Sequence, residues 1–336
     1  MNEPRATSPL ASGESTARIH VREAFEDEKI ARDLACHAAW GSSLTPEQFV
    51  ARESRLRSLP WSRSSMKTWL LVDENEQVLA SCETYAMKSA SRSEHSLDEG
   101  VVWAIASVFV ETHLRKRGYA ERLVSSVVER ASSSAQAVTL FSEVGTTLYG
   151  RSGFVAVPRR CITLAASPGD PAQVVDALID EASVRDRADS IDWPSQQGFY
   201  VHASGDQIDW HLDRERFYTS LLHMTRPRWA GARTSSGWAH WAFSPKASTL
   251  IVLGIRGTER DDECSALIEC SRRVASSCGA TFVEIWAEDI PSKTVADALV
   301  STSLPPVDSY DTIPMIRPIS PRIEPAHWRV SRAVWV

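Results

Sequence analysis

The chain has 336 residues, 43% of them hydrophobic and 24% charged, which is the make-up of about two ordinary soluble domains with room for a large core. Lys plus Arg is 37 against 43 Asp plus Glu, a formal net charge of −6, and this argues against a nucleic-acid partner. The six cysteines (Cys36, Cys82, Cys161, Cys264, Cys270 and Cys278) form no CxxC pair and no zinc spacing, so they read as reduced thiols of a cytoplasmic protein with no metal site.

The first seventeen residues have no apolar centre and read as a disordered tail, not a secretory signal. Arg18 to Arg22 alternates and reads as an edge strand; Ala24 to Trp40 has helical spacing. Thr45, Pro46 and Gln48 form a helix start, and that helix runs to about Arg57. Thr68 to Val72 and Val78 to Tyr85 make a hairpin about a polar turn; Lys88 to Gly100 is polar and reads as a loop. Val101 to Val110 is a strand buried on both faces, and at ten residues it is too short to cross a bilayer. No membrane partner is expected. Next comes a helix whose apolar face is Ala120, Leu123, Val124, Val127, Val128 and Ala131. Val138 to Phe141 is a strand, Thr146 to Arg151 a short helix, and Phe154 to Val157 another strand.

Pro168, Gly169 and Pro171 mark a boundary, followed by a helix from Ala172 to about Ala182. The second half offers strands near Phe199 to His202, Gly237 to Phe243, Thr249 to Ile255, Thr281 to Trp286, Thr312 to Arg317 and Trp328 to Val336. Its helices are Asp261 to Cys278 and Ser292 to Leu299. The order strand, strand, helix, strand, helix echoes the first half and suggests a structural repeat. The expected division is a tail over 1–17, a first domain over 18–165, a linker over 166–190 and a second α/β domain over 191–336.

The unit from Val101 to Ala131 carries the chemistry. Its turn reads Arg115-Lys116-Arg117-Gly118-Tyr119-Ala120. A glycine at the start of a helix permits unusual backbone angles, and free amides there form an anion site suited to a diphosphate. Basic residues are unfavourable at a helix start, so three of them imply an anionic ligand. The pattern Arg/Gln-x-x-Gly-x-Gly/Ala resembles the pyrophosphate loop of the GNAT acetyltransferases. LFSEVGTTLYGRSGF (Leu140 to Phe154) resembles the segment that follows it in that family. The resemblance implies an α/β (α+β) GNAT fold with a mixed, mostly antiparallel sheet splayed into a V, and acetyl-CoA as the donor. It implies that the backbone of Val108, Phe109 and Val110 meets the pantetheine arm. It makes Tyr149 the acid for the leaving CoA thiolate.

LASCETY, IASVFVETHLRKRGYA and IDWHLDRERFY (Ile208 to Tyr218) are also similar to the fungal lysine N6-acetyltransferase family, which pairs a GNAT domain with a distinctive C-terminal domain. That resemblance implies transfer of acetyl to the side-chain amine of free L-lysine, a small-molecule acceptor. Other readings are transfer to another amine, including a protein lysine, or a non-catalytic acyl-CoA-binding module. An acceptor ammonium must lose a proton before it attacks; Glu83 and Glu143 are the candidate bases, with surface carboxylates the competing reading. Trp210, His211 and Arg214 are candidates to close the acceptor cleft. Arg214 either pairs with a substrate carboxylate or is satisfied by Asp209, Asp213 or Glu215. After the strand TLIVLGIRG the second half has the acidic run Glu259 to Glu263, so a GNAT-like second domain would be a copy unable to bind a diphosphate. Oligomeric state is not legible.

Overall fold

The computed structural model describes residues 19–41, 43–305 and 312–336; the tail expected over 1–17 lies outside the described residues. The first half runs β1 (His20–Glu23), α1 (Glu26–Trp40), α2 (Pro46–Ser58), α3 (Pro60–Ser65), β2 (Met66–Val72), β3 (Val78–Arg92), β4 (Leu97–Phe109), α4 (Tyr119–Ala131), β5 (Ala137–Ser142), α5 (Thr147–Arg151), β6 (Val155–Ala156) and β7 (Cys161–Ala165). The second runs β8 (Ala177–Ile179), α6 (Glu181–Asp189), β9 (Gly198–Val201), α7 (Gly205–Leu221), β10 (Gly231–Arg233), β11 (Trp238–Ser244), β12 (Thr249–Arg256), α8 (Asp261–Ser277), β13 (Phe282–Trp286), α9 (Lys293–Thr302), β14 (Ile313–Pro318) and β15 (Trp328–Arg329).

Two mixed sheets result. The first has the order β1-β2-β3-β4-β5-β14-β6, with β9 on the far end of β3 and β15 on β9. The second has the order β7-β13-β12-β11-β10-β8. In the first, β4 is antiparallel to β3 and parallel to β5, but the parallel pairing covers only Val102 to Ile105 against Ala137 to Leu140. Beyond that point β4 continues to Phe109 paired with β3 but not with β5, which opens the V. A register shift opposite Ser81 and Glu83, with Ser107 at φ +52°, marks a bulge at the opening.

The repeat is present. β11, β12, α8 and β13 reproduce β3, β4, α4 and β5: an antiparallel pair with a bulge, a crossover helix, then a strand parallel only over Thr249 to Ile251 and Phe282 to Glu284. The two halves also exchange strands. β14, from the second half, lies between β5 and β6, while β7, from the first, closes the second sheet beside β13.

Three expectations are corrected. Lys88 to Gly100 is not a loop: the β3–β4 hairpin runs on to Arg92 and Leu97. Its polar side chains misled, yet backbone pairing is indifferent to them, and Ser89 is buried where its hydroxyl donates to Gln136 Oε1 at 2.9 Å. The helix expected from Ala172 is a 3₁₀ turn, a short strand and α6, because Asp180 caps a later start by accepting from the Ser183 amide. Trp328 to Val336 pairs only at its first two residues and ends in a 3₁₀ turn. Cys161 to Ala165, outside the strands expected above, pairs with β13 in the second sheet.

The helix that carries the basic turn is held by the face its spacing predicts. Leu123, Val124, Val127, Val128 and Ala131 are buried, while Ala120 is half-buried. Leu123→Ala should lower the unfolding free energy by about 3 kcal/mol. Urea denaturation checks this, and a loss under about 1 kcal/mol would mean that the site around Leu123 collapses around the missing side chain.

Candidate active site

The loop after β4 is pinned by Leu114, buried within a one-turn 3₁₀ helix. Lys116 and Gly118 then both have left-handed backbone angles, φ +65° and +80°. Alternating left- and right-handed residues turn successive amides toward one point, forming a nest. The amides of residues 116–121 have no acceptor among the described residues; the first hydrogen bond of α4 at this end runs from the Arg122 amide to the Gly118 carbonyl. Gly118 is the N-cap, with no side chain to cover those amides. Arg115 donates to the Val110 carbonyl at 3.0 Å and Arg117 to the His113 carbonyl at 3.4 Å. Arg115, Lys116 and Arg117 are all exposed, beside a half-buried Tyr119 and Ala120. Dipole, free amides and basic side chains act on the same spot.

Beside this loop lies the splay. Val108, Phe109 and Val110 extend past the last β4–β5 pair, with Val108 and Val110 packed on the core under α4 and Phe109 against Trp40. The bulge is clamped from α1. Arg32 donates to the Ser107 carbonyl at 2.9 Å, to Glu83 Oε1 at 2.8 Å and to the Ser81 hydroxyl at 3.2 Å. Glu83 is 4% exposed. Burial raises its pKa and the Arg32 charge opposes that rise. Its other oxygen lies 3.5 Å from the Tyr85 hydroxyl. Glu143 is different: it is exposed at the end of β5. Arg32 was missed in the sequence. Hydrophobic spacing would turn Ile30 and Leu34 inward, yet these are exposed while Arg32, Asp33 and Cys36 are buried.

Tyr149 sits on α5, 8% exposed, its ring edge-on to Phe154 at 6.2 Å. Its hydroxyl has no hydrogen-bond partner among the described residues. Burial, then Cys82 and Glu143, push its pKa up to about 12, so it holds its proton at any ordinary pH. A packed Tyr with a satisfied hydroxyl is the arrangement the structure does not have.

The segment IDWHLDRERFY forms α7, which packs against α2 and α3 of the first half. Trp210 meets Trp61 edge-on at 5.9 Å, and Trp61 stacks on Tyr85 at 4.9 Å. Second-half residues thus reach the buried end of β3, where Glu83 lies. His211 has another task. It is buried, its Nε2 is 2.9 Å from the Ala333 carbonyl, and burial pushes its pKa down to about 3. It ties α7 to the C-terminal segment as a neutral ring, which removes it from the acceptor-facing group. Arg214 is half-buried one turn beyond Trp210.

The second splay is filled by the chain itself. Ser331 donates to the Leu253 carbonyl at the β12 bulge at 3.4 Å, and the Arg332 amide donates to Asp289 at 2.7 Å. At the start of α8, Glu263 accepts from the hydroxyls of Thr234, Ser235 and Ser236 at 2.6 to 2.7 Å. Those donors push its pKa down to about 2. A fixed anion therefore occupies the position where the first domain keeps free amides.

No helix among the described residues is long and apolar enough to cross a membrane, and no group of three metal-ligating side chains occurs among them. Comparison with known proteins agrees with the architecture. Residues 175–328 match the family described as the LYC1 GNAT-like C-terminal domain. A conserved protein of unknown function from Enterococcus faecalis V583, described as a probable N-acyltransferase, superposes with a TM-score of 0.54 at 10% identity, over 90% of this chain and 73% of that one. Eis1 from Mycobacterium abscessus does so with a TM-score of 0.51 at 12% identity, over 90% and 74%. At these identities the two structures speak for the fold. No curated protein matches the sequence. With a bulged and splayed sheet, a bare helix start beside it and a second copy of that unit, the chain has the fold of the N-acyltransferase structures it superposes on, and its second half resembles the LYC1 GNAT-like C-terminal domain.

Proposed function

We propose that the protein is an N-acetyltransferase that moves acetyl from acetyl-CoA to a primary amine, with the side-chain amine of free L-lysine as its acceptor. The observation that carries the reading is the set of unpartnered amides at residues 116–121, opening onto the β4–β5 splay. A diphosphate fits that nest, with Arg115, Lys116, Arg117, Gly118, Tyr119 and Ala120 around it. The pantetheine arm then runs along the free edge of Val108, Phe109 and Val110. The catalytic unit is residues 18–165, and the second domain walls the acceptor cleft. The protein works in the cytoplasm.

The chemistry follows from the groups present. The acceptor ammonium loses a proton toward Glu83, directly or through water, and the free amine attacks the thioester carbonyl. Collapse of the tetrahedral adduct forms the amide and breaks the carbon–sulfur bond. Tyr149 gives its proton to the departing thiolate, and the second proton that the nitrogen sheds as the amide forms returns through water to Tyr149. Glu83 is favoured over Glu143 as base because it is buried beside Tyr85 at the splay. Lysine is favoured by the resemblance of LASCETY, IASVFVETHLRKRGYA and IDWHLDRERFY to the lysine N6-acetyltransferases.

The test is CoA-thiol release from acetyl-CoA with a panel of amino acids and polyamines. Release with L-lysine and none with N6-acetyllysine is the expected result. Binding of acetyl-CoA without release for any amine would favour the non-catalytic reading.

A further inference from the structure

Arg214 lies on the same face of α7 as Trp210. Its guanidinium carbon is 6.0 Å from the Trp210 ring and 5.1 Å from the Trp335 ring. It makes no hydrogen bond or ion pair among the described residues. The acids beside it in sequence are all taken. Asp209 accepts from Arg216 at 3.0 Å. Asp213 holds Arg55 through both oxygens, at 2.6 and 2.7 Å. Glu215 accepts from Arg226 at 3.0 Å and from the Phe243 amide at 2.7 Å. Glu53, whose charge also reaches Arg214, is bound to Arg52.

The folded protein thus keeps an uncompensated cation against two indole rings, a costly arrangement for a structural residue. Trp210 adds a second unpaired donor, since its buried Nε1 has no acceptor among the described residues. From these two groups an aromatic wall leads through Trp61 and Tyr85 to Glu83. One end of the wall offers positive charge and an N–H, the other a carboxylate. The rings are buried and Glu83 is held by Arg32 at 2.8 Å, so the unpaired groups are those at the Arg214 end, where a ligand's anion would be met.

We propose that Arg214 anchors a carboxylate of the acceptor, so that the enzyme reads a free amino acid by both ends. The inference rests on the acetyl-transfer reading and adds the group that would hold the acceptor's anion. An aliphatic diamine of the same length brings a second cation to Arg214 and is repelled. A lysine within a peptide lacks the carboxylate.

The experiment compares L-lysine with 1,5-diaminopentane in the wild-type protein, in R214M and in R214K, by thiol release and by calorimetry on the CoA-loaded protein. Wild type should prefer lysine by about 10²-fold in kcat/KM, the usual worth of leaving a charged site unpaired. R214M should bring that ratio close to one, mainly through KM for lysine, and R214K should restore part of it. A wild-type protein that uses or binds the diamine as well as lysine overturns the anchor while leaving acetyl transfer standing. So does R214M losing both acceptors in equal proportion, which would mark Arg214 as structural. No thiol release and no binding with either amine overturns the transfer reading itself.

Discussion

Charge reversal at both Arg115 and Arg117, to Glu, is expected to abolish acetyl-CoA binding measured by calorimetry. Two arginines beside a diphosphate each supply charge-assisted hydrogen bonds, and their replacement by carboxylates adds repulsion at a helix start. A loss of at least about 10²-fold follows from removing the attraction alone. Both side chains are exposed and bond only to loop carbonyls, so the fold should survive, and unfolding midpoints should match wild type. Gly118→Val is the backbone counterpart. Nothing lies within 4 Å of an added Cβ, so the penalty comes from φ +80° and from the side chain entering the nest. The second domain offers a natural comparison. Its equivalent helix start already carries Glu263, and one molecule of acetyl-CoA should bind per chain. Unchanged affinity in the double variant would remove the nest from the cofactor site.

Tyr149→Phe is expected to lower kcat by roughly 10²- to 10⁴-fold, the usual worth of a general acid, with acetyl-CoA affinity retained. The hydroxyl it removes has no partner among the described residues, so stability should barely change. The pH profile separates this role from a packing role. An acid must be protonated to act. With its pKa pushed up to about 12, Tyr149 stays protonated as pH rises through the physiological range, and the wild-type rate should not fall there on its account. The acid limb belongs to groups that must lose a proton: the acceptor amine and Glu83, whose raised pKa moves that limb upward from the ordinary carboxylate range. The Phe variant should therefore be slow across the whole range with the acid limb in place. A wild-type rate would take Tyr149 out of the mechanism.

Local signals were legible in the sequence where one segment sets its own structure. The α4 face, the Thr45 cap and the glycine turn each depend on residues a few places apart, and each appears where the spacing puts it. The buried run Val101 to Val110 gave the central strand, though not its bulge at Ser107, which depends on an arginine from α1. Pairing between distant segments left little trace. Nothing in Ile313 to Pro318 says that it will lie between β5 and β6 rather than in the second sheet. Charge was the least legible property. Arg32 and Asp33 read as solvent-facing in a polar helix; the carboxylate and carbonyl on β3 and β4 account for the burial of Arg32, and Arg57 of α2 for that of Asp33. The acids around Arg214 looked like its partners until each was found bound to another arginine.

The strand exchange has a consequence for how the chain is made. β6 leaves the ribosome long before β14, the strand that separates it from β5. At about 5–20 residues per second the interval is roughly 8 to 30 s. Throughout it the first sheet carries an open edge at β5, and the helix that holds the nest rests on an incomplete layer. The second half cannot close its own sheet without β7, which has by then been waiting outside the tunnel. Each half is therefore a template the other must find. A fragment cut at the sequence boundary would lack a strand from its middle, and the nascent chain needs shielding from edge-to-edge association until its last strands emerge.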